Sequence, residues 1–162
     1  MKEYEKVLQK LEELNINYKL VDHPPALTTE QADKYIEGIE GVRTKTLFLA
    51  NKKNRAYYLI VMDDMKRVDM KILEELIETK GLHFCSEEKL MEKLMLPPGV
   101  VSIFGLLNNF EKDVNIILDE EIMNEKYMSF HVNDNTKTAF ITTEDMCRFI
   151  NECGFEYKII KL

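Results

Sequence analysis

Two side chains and one loop are the parts of this 162-residue chain that could carry chemistry. Lys45 lies in the apolar run TKTLFLA, where strand alternation places it on the same face as Leu47 and Leu49. A lysine at the end of such a face can point into a cleft and bind an anion or a polarised carbonyl, or it can extend to reach water. His131, in SFHVNDN, lies near the end of a second predicted strand and fits either a catalytic or a structural role.

The stretch LPPGVVSIFGLLNN, residues 96–109, is the candidate loop. It holds two of the four prolines and two of the six glycines, and it is almost uncharged in a chain that is 31% charged. Glycine lets main-chain N–H groups approach a ligand closely, and proline fixes that approach. Such groups can hold a substrate oxygen or stabilise an oxyanion, although a packed surface loop is the alternative. No GxSxG elbow surrounds Ser102, so we do not expect a serine nucleophile.

The composition, 45% hydrophobic and 9% aromatic, predicts a single globular domain over residues 1–162. No apolar run approaches the roughly 18 residues that span a bilayer, and the charged N-terminus MKEYEKVLQK has no signal-peptide core. We therefore expect a cytoplasmic protein with no membrane partner. Cys85, Cys147 and Cys153 form no CxxC pair, which favours small apolar side chains over redox or metal chemistry. We expect no metal and no cofactor.

The net charge of −7 argues against a protein held to nucleic acid by bulk electrostatics, and we expect no DNA partner. The charge is uneven, however. Residues 43–71 contain eight basic and three acidic residues, whereas residues 111–125 contain one lysine and six acids. The basic segment either docks a phosphate backbone or is simply solvated.

The elements that must position these groups alternate in type along the chain. Periodicity and capping residues predict helices over 3–15 and after Thr28, Asp69, Ser86 and Thr143. Strands are predicted at 18–21, at 44–50 and 56–62 as a hairpin, at 82–85, and at 157–162. The runs 115–122, 127–133 and 138–143 are predicted to form an antiparallel three-strand meander, because their connections are short. The pattern favours an α+β fold with a mixed or largely antiparallel sheet.

Four segments in one order, HPPALTTEQA, RTKTLFL, LPPGVVSIFGL and FHVNDNTKT, give the chain a family resemblance. It resembles the free-standing prolyl-tRNA editing proteins of the YbaK/ProX group, related to the editing domain inserted in bacterial prolyl-tRNA synthetases. The resemblance implies a mixed, barrel-like sheet surrounded by helices. It also implies hydrolysis of mischarged tRNA(Pro), with Ala-tRNA(Pro) as the leading substrate. The implied partners are the acceptor end of tRNA(Pro) and a prolyl-tRNA synthetase.

The same resemblance implies a set of site residues. The catalytic positions fall on Lys45, Gly99 and His131. The substrate-binding positions fall on the short helix, the loop and the segment after the histidine: Thr28, Thr29, Ala32, Ser102, Phe104, Gly105, Asn135 and Thr136. Two positions where family members commonly carry proline hold Ile103 and Val132 instead, and Thr29 and Ala32 stand where alanine-selective members carry larger aliphatic groups.

An aminoacyl ester is already activated, so the expected mechanism needs only a positioned water and a stabilised oxyanion. Loop N–H groups would hold the ester, Lys45 the terminal adenosine, and His131 the floor of a pocket that rejects proline by size. One alternative is a binding or sensor protein of the same fold that does not hydrolyse its ligand. The other is an unrelated hydrolase that uses His131 with Cys85 or Ser102.

Overall fold

The computed structural model describes residues 1–162, apart from the side chain of Thr29. Five α-helices and eight β-strands follow one another in the order α1 (Glu3–Glu13), β1 (Lys19–Asp22), α2 (Thr29–Tyr35), β2 (Val42–Ala50), β3 (Tyr57–Asp63), α3 (Met70–Leu76), β4 (His83–Phe84), α4 (Glu87–Leu94), β5 (Val114–Asp119), β6 (Tyr127–His131), β7 (Lys137–Thr142), α5 (Thr143–Glu152) and β8 (Tyr157–Ile160). Single 3-10 helices cover Lys52–Asn54, Ile103–Asn108 and Glu120–Asn124.

Side-chain caps start α2, α3 and α4 at the residues that the sequence indicates, whereas α5 is capped by Thr142 and not by Thr143. The Asp69 carboxylate accepts from the N–H groups of Lys71 and Ile72 at the start of α3, and Ser86 accepts from the N–H of Lys89 at the start of α4. These bonds satisfy main-chain donors that the first turn leaves free. Helix α3 ends at Leu76, and the left-handed backbone of Glu78, with φ of 55°, follows it.

The strands form one mixed sheet in the order β1-β7-β6-β2-β3-β5-β8, with β4 also paired to β2. The β1–β7, β6–β7, β2–β3 and β2–β4 pairs are antiparallel, and the β2–β6, β3–β5 and β5–β8 pairs are parallel. The predicted mixed sheet with surrounding helices is confirmed.

The predicted three-strand meander is wrong in its first strand. Strand β6 pairs with β7 as expected, but β5 lies between β3 and β8 and is parallel to both. The 3-10 helix Glu120–Asn124, capped by Asp119, separates β5 from β6. The apolar run of β5 is buried on both faces, which suits a central parallel strand better than the edge of a meander.

Strand β3 lies at the centre of the molecule and contributes to the core on both faces. Leu59 and Val61 belong to the main hydrophobic cluster, whereas Ile60 and Met62 belong to a smaller cluster on the other face. Because each face is covered, the strand reads as a continuous apolar run in the sequence.

The pairing of β2 with its neighbours creates an opening in the sheet. Over the described residues β2 joins β6 at Val42 and Arg43 and joins β4 at Leu49 and Ala50. Between these two contacts the edge of β2 faces a cleft. Strand β2 therefore supplies one wall of the cleft, and the end of β6 supplies another.

Candidate active site

The cleft has a volume of about 680 Å³ and is lined mainly by four parts of the chain. These are residues 26–28 with Ala32 and Asp33 of α2 and Ile36 just after it, residues 44–48 of β2, residues 98–102 of the proline-glycine loop, and residues 129–131 of β6. A cavity of this size, lined by both apolar and polar side chains, is typical of a ligand site.

Most of the predicted site residues come together in this cleft. Seven of them line it: Thr28, Ala32, Lys45, Gly99, Ser102, His131 and Asn135. They come from separate regions of the sequence, and the fold brings those regions to one opening. The side chain of Thr29, also predicted to bind substrate, lies outside the described residues.

Three predicted site residues lie away from the lining. Phe104 is fully buried and packs edge-on against Phe130 and Phe149. Gly105 is also buried, and a Cβ added there would lie 3.1 Å from a methyl group of Leu96. The first half of the loop therefore borders the cleft, while the second half forms a 3-10 helix in the core.

Thr136 is the third residue outside the lining. Its hydroxyl and its N–H both donate to the carboxylate of Asp134, which closes the turn between β6 and β7. Asn135, its neighbour in the same turn, does line the cleft.

A pair of acidic side chains, absent from the sequence prediction, lies beside Lys45. Asp33 on α2 and Asp64 just after β3 both line the cleft. Burial, followed by contact with the Asp33 carboxyl group and the charges of Asp33 and Asp63, raises the pKa of Asp64 to about 8. The ammonium of Lys45 offsets this only in part. The carboxyl group of Asp64 is therefore mostly protonated at neutral pH.

The position of Asp64 beside Lys45 could have been predicted from the register of the β2–β3 hairpin. Lys45 pairs with Met62 and Thr44 with Asp63, so the MDD sequence at the end of β3 must lie beside Lys45. Asp33 follows Ala32 on the short helix α2, which was already expected to face the site. The contact between these two residues required the packing of α2 against the sheet.

His131 is uncharged in the cleft at neutral pH. Burial lowers its pKa, as does the nearby charge of His23, and together these outweigh the opposite effects of Asp33 and Asp134. The Nδ1 atom is buried and has no hydrogen-bond partner among the described groups. A neutral imidazole with a free ring nitrogen can hydrogen-bond a ligand or a water in the cleft.

The loop residues that border the cleft are held by side-chain bonds and an unusual backbone. Gly99 has φ of 90°, with nothing within 4 Å of the position where a Cβ would stand, so conformation rather than space favours glycine. The Ser102 hydroxyl donates to Asn133 Oδ1 at 3.0 Å and accepts from the N–H of Phe104 at 3.1 Å. Ser102 therefore anchors the loop.

Ser102 and Cys85, the nucleophiles of the alternative hydrolase interpretation, are not activated for attack. Ser102 is 1% exposed, and its hydroxyl is bonded to Asn133 and not to His131. Cys85 lines the cleft, but burial raises the pKa of its thiol to about 11. A thiol with that pKa supplies very little thiolate at neutral pH.

The basic segment 43–71 does not present one continuous charged face. Arg43 donates to the carbonyls of Ile36, Ile39 and Gly41, so it ties the chain after α2 to β2. Residues 52–55 form the turn of the β2–β3 hairpin, at the opposite end of β2 from Lys45.

The acidic segment 111–125 neutralises part of this basic charge. Lys66 contacts Asp119 at 2.8 Å and Glu121 at 2.9 Å. Part of each charged segment is therefore used in contacts within the protein.

The fold and the cleft can now be compared with known proteins. A model of the aminoacyl-tRNA editing domain family matches residues 23–149, which include every residue named above as lining the cleft. The chain belongs to this family. It is therefore an aminoacyl-tRNA deacylase, an enzyme that hydrolyses the ester between an amino acid and tRNA. The predicted family and enzyme class are confirmed.

Individual proteins of related sequence are similar to this chain over most of its length. The chain is 36% identical over 157 residues to the prolyl-tRNA editing protein ProX of Acetoanaerobium sticklandii, covering 96% of this chain and 95% of the relative. It is 31% identical to prolyl-tRNA synthetase associated domain-containing protein 1 of Danio rerio, over 88% of this chain and 78% of that protein.

Solved structures share the fold. A crystal structure provisionally assigned as a trans-editing enzyme for prolyl-tRNA synthetase superposes with a TM-score of 0.77, at 17% identity, covering 100% of this chain and 98% of that one.

Among the described helices, none is long and apolar enough to cross a membrane.

Proposed function

We propose that this protein is a trans-editing enzyme of the cytoplasm that deacylates mischarged tRNA(Pro), with Ala-tRNA(Pro) as its main substrate. The observation that carries the proposal is the convergence of Lys45, Gly99 and His131 on one cleft from three distant parts of the chain. The 36% identity to a prolyl-tRNA editing protein supports the choice of tRNA. Residues 1–162 act in this proposal as one editing domain.

Water is the nucleophile in the proposed reaction. The free hydroxyl of the terminal ribose helps to orient it as it adds to the ester carbonyl carbon, and main-chain N–H groups of the Gly99 loop stabilise the negative charge that forms on the carbonyl oxygen. Collapse of this intermediate breaks the bond to the ribose oxygen, which takes up the proton that the attacking water loses, and releases the free amino acid. The neutral imidazole of His131 shapes the pocket and hydrogen-bonds the substrate without acting as an obligatory base.

Lys45 holds the tRNA end in this mechanism. Its ammonium lies at the edge of the cleft on β2, where it can bind the phosphate or the ribose oxygens of the terminal adenosine. The acceptor end of tRNA(Pro) is thus the proposed partner, and a prolyl-tRNA synthetase that delivers it is a second one.

Selectivity arises from size in this proposal. Thr28, which caps α2, and Ala32 on that helix border the cleft, and in the proposed function the space beside them admits the side chain of alanine and not the ring of proline. Binding alone discriminates poorly between small side chains, which is why a second, hydrolytic sieve is needed.

The sensor alternative rested on the two departures from the family pattern, Ile103 and Val132. Both side chains are 0% exposed and belong to the main hydrophobic cluster. Neither lines the cleft, so these substitutions act on packing and leave the catalytic interpretation favoured.

The test is hydrolysis of tRNA(Pro) charged in turn with alanine, cysteine, serine and proline, by the wild type and by Lys45→Ala. We expect rapid release of alanine, slow release of proline, and loss of activity in the variant. Release of none of the four, with charged tRNA still bound, would replace the enzyme by the sensor. Release of cysteine or serine in preference to alanine would correct the substrate and keep the activity.

A further inference from the structure

The cleft has few charged side chains, and its acidic groups outnumber its basic ones. Among the described lining side chains the carboxyl groups are Asp33 and Asp64, and the single ammonium is Lys45. Because His131 is neutral there, the cleft carries acidic groups that face a ligand and are not needed to bind a phosphate. A site built only to hold the end of a nucleic acid would exclude such groups.

The carboxyl group of Asp64 is not fully satisfied by the protein, and neither acid has a cationic partner within the described part of the chain. Among the described side chains, no lysine, arginine or histidine nitrogen lies within 4.0 Å of either one, although nine such ion pairs form elsewhere. Asp64 Oδ1 is buried and has no hydrogen-bond partner among the described groups. Buried oxygens without a donor are costly and rare in folded proteins, so an external donor is expected.

The groups that face Asp64 come from three elements. Asp33 faces it from α2, Lys45 from β2 and Asp63 from the end of β3. Asp33 also faces His131, which lies on β6. The acidic pair therefore shares the cleft with both the lysine and the histidine and acts on them electrostatically.

Only one part of a charged tRNA end complements this arrangement. The phosphates are anionic and the ribose and base are neutral, whereas the α-amino group of the esterified amino acid is a small cation near neutral pH. We propose that Asp33 and Asp64 bind the α-ammonium group of the aminoacyl ester, which orients its carbonyl toward the Gly99 loop and selects free amino acid esters over N-blocked ones. This inference rests on the proposed function, because it assigns the substrate's amino group within that same cleft.

Binding of a cation changes the protonation of the pair. In the free protein Asp64 is mostly protonated at neutral pH, and an ammonium group beside it stabilises its ionised form. Binding therefore releases a proton to the solvent.

The first experiment measures binding without hydrolysis. The probes are 3′-alanylamino-3′-deoxyadenosine, a stable amide analogue of the charged tRNA end, and its N-acetyl derivative. Calorimetric titration at pH 7 in two buffers of different ionisation enthalpy gives the affinity and the number of protons exchanged. We expect the free-amine analogue to bind about tenfold more tightly than the N-acetyl one, with net proton release.

The variants Asp33→Asn and Asp64→Asn should abolish this preference and the proton release, while leaving binding of the N-acetyl analogue nearly unchanged. Glu37→Gln is the matched control, because it removes an exposed carboxylate just after α2 that does not line the cleft. Thermal melts confirm that each variant is folded. Equal affinity for the two analogues, binding of neither, or an unchanged preference in both Asp variants would overturn the assignment.

Hydrolysis separates this inference from the function on which it rests. The wild type should cleave Ala-tRNA(Pro) about tenfold faster than N-acetyl-Ala-tRNA(Pro), and Asp33→Asn should bring the two rates together. If neither tRNA is cleaved but the free-amine analogue is still preferred, the proposed function fails and the ammonium site stands. If both tRNAs are cleaved equally by the wild type, the ammonium site fails and the editing function stands.

Discussion

Two clusters in this protein each contain a lysine and two carboxyl groups, but they differ in how fully the carboxyl groups are hydrogen-bonded. Lys93 is 7% exposed, and its ammonium lies 2.6 Å from Asp113 and 3.2 Å from Glu111. Asn109 donates to the same Asp113 carboxylate at 2.9 Å. In the cleft, by contrast, Asp64 keeps a buried oxygen without a partner, although Lys45 stands nearby.

The difference separates structural from functional polar groups. Burial opposes ionisation of Asp113, but the hydrogen bonds from Lys93 and Asn109 outweigh it and lower its pKa, so this cluster is complete in the folded protein. At Asp64 burial and neighbouring acids raise the pKa and no bond compensates for them. Incomplete satisfaction in a cleft indicates a place prepared for a ligand.

Exchanging the two lysines for neutral side chains should give the largest contrast. Lys45→Ala should lower the deacylation rate about 100-fold while leaving the melting temperature nearly unchanged, because its charge acts on the substrate. Lys93→Met should lower the free energy of unfolding by about 2 kcal/mol, because Asp113 and Asn109 lose their charged partner. Urea unfolding and single-turnover deacylation measure the two effects. A stability loss in Lys45→Ala as large as in Lys93→Met would remove the distinction.

A second contrast uses two glycines with the same backbone. Gly99 and Gly38 have φ of 90° and 84°, and an added Cβ would meet nothing within 4 Å at either position. Alanine should therefore cost about 1 kcal/mol of stability at both sites, from strain alone. Gly99→Ala should also slow deacylation, by about tenfold, because it shifts the loop N–H groups, while Gly38→Ala should not. Equal rates in the two variants would indicate that the loop backbone does not contact the substrate.

The acidic pair should appear in the pH dependence of stability. The pKa of Asp64 is raised in the folded protein to about 8, so between about pH 4 and 8 the unfolded chain binds fewer protons at this site than the folded one. Stability from this group is therefore present at low pH and is lost as the pH rises toward 8. Asp64→Asn should raise the melting temperature by a few degrees at pH 8.5 and change it least at pH 4.5. Calorimetric melts at the two pH values test this, and a uniform shift would contradict it.

The smallest effects are expected at Cys85. Burial raises the pKa of its thiol to about 11, so iodoacetamide at pH 7.5 should modify it about a hundredfold more slowly than a free cysteine. Cys85→Ser should keep the deacylation rate within about twofold. Peptide mass spectrometry measures the first and single-turnover hydrolysis the second. Rapid alkylation together with loss of activity would revive the interpretation of Cys85 as a nucleophile.

Local features of the fold were readable from the sequence because local forces decide them. The caps at Asp69 and Ser86 and the β2–β3 hairpin follow from short-range patterns that the structure repeats. The position of β5 did not follow, because a parallel partner is chosen by burial on both faces and not by the length of the next connection. The short connections in the sequence favoured a meander, but packing placed β5 between β3 and β8.

The site shows the same division. Ala32, Lys45 and His131, which the family resemblance indicated on α2, β2 and β6, line the cleft because their elements border one opening. Phe104 and Gly105 lie in the core, since one continuous loop supplies both a cleft wall and a packed 3-10 helix. Asp33 and Asp64 escaped notice because two acids in distant segments carry no shared pattern until α2 packs against the sheet.

The short junction between β2 and β6 has an evolutionary consequence. Two residue pairs hold these strands together, and beyond them the space between is bordered by side chains from α2 and the loop. In the proposed function, a change at Ala32 alters the room available to an amino acid and leaves the ladder hydrogen bonds of the sheet intact. We therefore expect related proteins to acquire new amino acid preferences through a few substitutions on α2, without changes in the strands that carry Lys45 and His131.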